Sequence, residues 1–104
     1  MTPTLTALDP TVFPEDVRRF ADERRVTRYV APLYELARNC FDGATVLVLH
    51  ESDPEIAGLQ WIVYEVAAGD WDLDRYRSAH DRWLAGFHAM CPASARGAFV
   101  LGER

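Results

Sequence analysis

Apolar residues cluster in two runs, 44–50 and 59–67, separated by an acidic loop, residues 51–58, that carries Pro54 and Gly58. Runs rich in β-branched and aromatic residues on either side of such a loop predict an antiparallel hairpin. Side chains in a strand point to alternate faces, and here neither face is polar. The second run sets Leu59, Trp61 and Val63 on one side and Ile62, Tyr64 and Val66 on the other. The first sets Val46 and Val48 against Leu47 and Leu49. Both sides of the hairpin are therefore expected to need cover.

Helical periodicity flanks the hairpin. Val17, Phe20 and Ala21 mark a short helix that opens on Pro14-Glu15-Asp16 and runs to about Arg25. Val26, Tyr29, Val30, Leu33, Ala37, Cys40 and Phe41 fall in one arc of a second helix. Thr27 is its candidate cap and Gly43 its left-handed terminator. Pro32 lacks an amide donor and crowds the preceding turn, which places a break or bend within residues 25–31. Asp70 or Asp72 caps a third helix over residues 72–91, with Tyr76, Ala79, His80, Trp83, Leu84, Phe87, Met90 and Cys91 on its apolar face. Pro92 stops it, and residues 97–102 predict a short last strand.

The expected fold is one α+β domain over residues 1–104, two-layered, with element order α-α-β-β-α-β. A three-stranded, mainly antiparallel sheet packs against the helices. The last strand is expected antiparallel beside the first, giving sheet order 2-1-3; the alternative is parallel beside the second through a right-handed crossover. Residues 1–12 read as an extended lead-in, held in place only if Leu5, Leu8 and Phe13 dock.

Composition narrows the functional classes. Apolar residues at 49% and charged ones at 26% describe an ordinary globular chain, not a disordered one. All eleven basic residues are arginine, which with abundant alanine points to the codon usage of a GC-rich bacterial genome. The net charge of −5 is uneven: residues 44–74 hold seven acids and no arginine, while residues 75–104 hold five arginines and two acids. An acidic hairpin repels phosphate backbones, so no nucleic-acid partner is expected. No run is long and apolar enough for a membrane span, and no signal peptide is visible. Two cysteines without framework spacing suit a reducing cytoplasm.

No motif names a reaction, and no cofactor is expected. His80, on the apolar face of the third helix, is the candidate general base of a pocket between helix and sheet, with Glu65 or Asp81 to orient it. Its plainer role is a core histidine held by one hydrogen bond. His50, Glu51, Asp53, Glu55, His88 and Cys91 gather at one end of the expected sheet, where imidazole, carboxylate and thiolate could hold a divalent ion. No recognised ligand spacing supports that set. Trp61, Tyr64 and Trp71 are the candidate interface residues, because a sheet with two apolar faces and helices on one side leaves the other open to a partner. The expected function is a non-enzymatic interaction or adaptor protein, homodimeric or bound to another protein; a small enzyme or ligand-binding domain around His80 is the alternative.

Overall fold

The computed structural model describes residues 8–104. Helices α1 (Glu15–Glu23) and α2 (Thr27–Cys40) precede the hairpin strands β1 (Thr45–Ser52) and β2 (Gln60–Ala67). Helix α3 (Leu73–Met90), a single turn α4 (Ala93–Arg96) and strand β3 (Phe99–Glu103) complete the α+β arrangement. Phe13, at the end of the lead-in, is buried, and Leu8 packs against the core. Leu5 lies outside the described residues.

Local chemistry accounts for the helix boundaries. Pro14 precedes α1, and Glu15 and Asp16 occupy its first turn, where carboxylates favour the positive end of the helix dipole. α1 closes with paired bonds, Arg25 N–H to the Asp22 carbonyl (3.1 Å) and Val26 N–H to the Ala21 carbonyl (2.9 Å). That closure needs a left-handed residue, and Arg25 supplies it at φ 59° without being glycine. The break expected between residues 25 and 31 thus falls at its start, and Pro32 lies inside α2. Thr27 is the first residue of α2 and not its cap; Val26 holds that position and makes no side-chain bond there. Asp72 caps α3 by accepting from the Arg75 amide at 2.8 Å.

The sheet is mixed, in the order β1-β2-β3. β1 and β2 pair antiparallel, with Val48 opposite Tyr64 and Leu49 opposite Val63. β3 runs parallel to β2, with Phe99 opposite Ile62 and Val100 opposite Val63. The expected antiparallel placement of the last strand beside β1 is therefore corrected. β2, α3 and β3 form one βαβ unit, and consecutive elements of such a unit lie side by side. β2 is then the central strand, which accounts for its run of apolar side chains on both faces.

All three long helices lie on one face of this sheet. The Tyr64 hydroxyl donates to the Val30 carbonyl of α2 at 2.8 Å, and the Tyr64 ring meets Trp83 of α3. The Phe20 ring of α1 packs tilted against His50, and Phe87 of α3 meets Phe99 edge to face. His50, Ile62, Tyr64 and Phe99 share one face by register, so the core sits between that face and the helices. Val63, by contrast, is only 4% exposed yet stands apart from the core cluster, because it points the other way.

Candidate functional site

The face of the sheet turned away from the helices carries Leu47, Leu49 and Glu51 from β1, Trp61, Val63 and Glu65 from β2, and Val100 and Gly102 from β3. Register puts Leu49, Val63 and Val100 in one row across the middle of all three strands. Leu47 and Val100 are exposed at 36% and 41%, while Leu49 and Trp61 are half-buried. Val63 is closed off by its own neighbours: a Cβ on Gly102 would stand 2.9 Å from Val63 Cγ2. No described helix covers this surface.

The two acids on this face are tied down within the chain. Trp61 Nε1 donates to Glu51 Oε1 at 3.3 Å, and Glu65 Oε1 lies 3.6 Å from Arg104 Nη1. The result is an apolar row flanked by acids that already have partners. Contiguous apolar surface marks contact sites, whereas singly scattered exposed side chains carry no such message; here Leu47 and Val100 are exposed and Leu49 and Trp61 half-exposed on one continuous face.

Of the candidate interface residues, Trp61 lies on this face, but Tyr64 does not. Tyr64 is fully buried on the helix side, and its hydroxyl is committed to α2. The reason is parity: neighbours of opposite register on one strand cannot share a face. Trp71 lies elsewhere, at the start of α3, with Phe41 stacked at 6.0 Å and the Arg75 guanidinium 3.6 Å from its ring centre. Leu47, Leu49, Val63 and Val100 were readable as apolar strand positions; the hairpin register groups the first three, and the addition of Val100 depends on which strand β3 joins.

The catalytic pair of His80 and Glu65 is not assembled. Glu65 points to the outer face, and α3 packs on the inner one, so the sheet stands between them. His80 is half-buried at the margin of the α3 face, its ring 6.2 Å from that of Tyr76. The centre of that face falls instead on Ala79, Trp83 and Phe87. Asp81 and Ser78 are exposed on α3.

The end-of-sheet ligand set does not converge either. His50 and Glu51 are consecutive in β1 and point to opposite faces. His50 is held by Gln60 at 2.9 Å and lies 3.8 Å from Asp16. The Asp53 carboxylate folds back on the Glu55 and Ile56 amides. Cys91 is turned into the core, where burial raises its thiol pKa and Arg96 opposes the rise in part; His88 is exposed. Among the described residues no three histidine, cysteine, aspartate or glutamate side chains group as metal ligands.

Two open clefts flank Trp71. One, of about 240 Å³, is bordered by Ala68, Leu73, Tyr76, Glu103 and Arg104. The other, of about 220 Å³, lies between α2 and α3. In it Arg82 donates to the Cys40 carbonyl at 3.2 Å and to Ser78 Oγ at 3.1 Å, and Arg75 reaches the Asp42 carbonyl at 3.5 Å. Cationic side chains on the last carbonyls of a helix complement its dipole, so these arginines serve the end of α2. No helix among the described residues is long and apolar enough to cross a membrane. Comparison with protein families, with characterised proteins and with solved structures gives no match for this chain.

Proposed function

We propose that this chain is a non-enzymatic protein-interaction or adaptor protein of the bacterial cytoplasm, homodimeric, whose working surface is the outer face of its sheet. The observation that carries this reading is the apolar strip of the outer face, with Leu47 and Val100 exposed and Leu49 and Trp61 half-buried around the closed-off Val63, on a sheet whose other face takes all three long helices. Leaving such a strip in water forfeits about 25 cal/mol for each Å² of apolar surface. Association recovers that term without any rearrangement of the fold. The acidic hairpin supports a protein partner over a polyanion, since residues 44–74 contain no arginine.

The reading is tested by hydrogen–deuterium exchange on the purified chain, alone at low concentration and again when concentrated or mixed with the products of adjacent genes. Protection that rises at β1 and β3 is the expected result. These strands lie at the sheet edges, and their amides respond to cover over the outer face. Exchange that stays the same under every condition, together with no retention on a hydrophobic matrix, refutes a contact role for this surface.

A further inference from the structure

We infer that the cleft bordered by Trp71, Tyr76 and Glu103 binds an alkylated ammonium group, with the Glu103 carboxylate as its counter-charge. The cleft lies between the start of α3 and the end of β3, at the opposite end of the sheet from the hairpin loop. It stands apart from the outer sheet face and from the reading given to that face.

Three aromatic rings meet beside this cleft. Phe41 is fully buried, with Trp71 stacked on it at 6.0 Å and Tyr76 tilted against it at 5.4 Å. Trp71 and Tyr76 are themselves half-buried, and Leu73, 61% exposed, stands at the rim. Glu103 pairs with the core residue Val66, which sets it on the helix side of β3. After burial, its charge is the second cause holding the Tyr76 phenol above the ordinary 10.0, so the carboxylate lies near that hydroxyl. Among the described residues Glu103 has no ion-pair partner. Its neighbour Arg104 is committed elsewhere, 3.6 Å from Glu65 of the outer face.

Charge and hydration select the ligand. Residues 67–74, which supply Trp71 and Leu73, also carry Asp70, Asp72 and Asp74 and no basic residue. The local potential is negative and repels an anion. A neutral apolar ligand would strip water from Glu103 without pairing it, which costs free energy. A metal ion needs several ligand atoms, and among the described residues no three acidic, histidine or cysteine side chains group to provide them. An alkylated ammonium meets all three conditions. Its alkyl groups replace N–H donors, so one carboxylate balances it, and aromatic faces attract it through the ring quadrupole. Trp71 shows this capacity already, with the Arg75 guanidinium 3.6 Å from its ring centre. Arg75 borders the second cleft and not this one, so it leaves the space open. A volume of about 240 Å³ falls below the roughly 300–1,000 Å³ of sites for drug-sized ligands, which limits the occupant to a head group. Such a group arrives as a free quaternary ammonium compound or as the methylated lysine side chain of a protein.

Tetramethylammonium chloride titrated into the isotope-labelled chain, followed by amide NMR, tests the site against sodium chloride at equal ionic strength. Saturable shifts are expected for the Trp71 indole and for the amides of Gly69 and Glu103, while the hairpin-loop amides stay in place. Glu103 is exposed, so the fold tolerates Glu103→Gln. That variant should raise the half-saturation concentration about tenfold, the scale of one close charge pair. Glu55→Gln, on the hairpin loop, should leave it unchanged. Trp71→Leu, with an unchanged circular dichroism spectrum, should abolish saturation at Gly69 and Glu103. Shifts that rise without saturating, or that sodium chloride reproduces, overturn the proposal. So does a Glu103→Gln chain that binds as the wild type does. Once tetramethylammonium saturates the site, a trimethyl-lysine peptide and choline identify the source. Tighter binding of the peptide assigns the group to a protein side chain, and tighter binding of choline assigns it to a free compound; either order supports the site, and failure of both to bind overturns it.

Discussion

Arg25 is the residue at which local conformation and side chain disagree most. Its φ of 59° closes α1, a role that glycine fills without steric cost. Arg25→Gly is expected to stabilise the protein by about 1 kcal/mol, the usual penalty of a left-handed non-glycine residue, read as a higher urea midpoint. A lower midpoint contradicts this. Tyr64 is the buried counterpart. Burial, and then the nearby Cys91 thiol, hold its phenol well above the ordinary value of 10.0. Burial likewise lifts Cys91 from 9.0. Both groups are neutral in the fold and ionise more readily once unfolded, so their contribution is complete below pH 9 and falls as pH rises through 9 and then 10. The urea midpoint should decline across that window, and Tyr64→Phe should flatten the part above pH 10. A midpoint constant from pH 7 to 11 would contradict the buried, neutral placement of both groups.

Among the elements, α3 and β2 organise the rest. α3 is fixed at its start by Asp72 and meets the sheet through Trp83, which stacks on Phe87 and donates to the Leu33 carbonyl at 3.4 Å. Asp72→Ala removes the capping bond and should cost about 1 kcal/mol in a thermal or urea melt. An unchanged melt would mean that the Arg75 amide finds another acceptor. β2 is apolar on both faces because the two faces meet different surroundings. Ile62, Tyr64 and Val66 join the core, while Trp61 and Val63 build the outer surface. The hairpin and the three long helices were legible from periodicity and turn chemistry alone, and the cap of α3 was narrowed to Asp70 or Asp72, of which the structure uses Asp72. The single turn α4 was not, because four residues after a proline carry too little pattern.

At the level of the whole molecule, the one-sided placement of the helices is the consequential feature. A three-stranded sheet buries one face against α1, α2 and α3, and no described helix covers the other. If a second copy supplies the cover, stability depends on concentration by mass action. The thermal midpoint should then rise between low and high micromolar protein, and Val100→Lys should remove that dependence. A midpoint independent of concentration in the wild-type chain would fit a lone molecule. The candidate catalytic pair failed at this same scale. His80 and Glu65 are each plausible in the linear sequence, but the sheet separates them, and no local pattern records which face of a strand a distant helix will choose.

Short-range chemistry, written in the order of residues, determined the helices, the hairpin and the two-sided apolar character of its strands. These follow from periodicity, caps and turns, which act over a few residues. Tertiary structure alone decided that β3 lies parallel beside β2. That pairing added Val100 to the Leu49–Val63 row of the hairpin, and the face on which the helices packed sent Tyr64 inward and left Trp61 outside. Strand neighbours and helix sides are set by contacts between residues far apart in the chain, whose free energy depends on the packing of the whole and leaves no mark in any single segment.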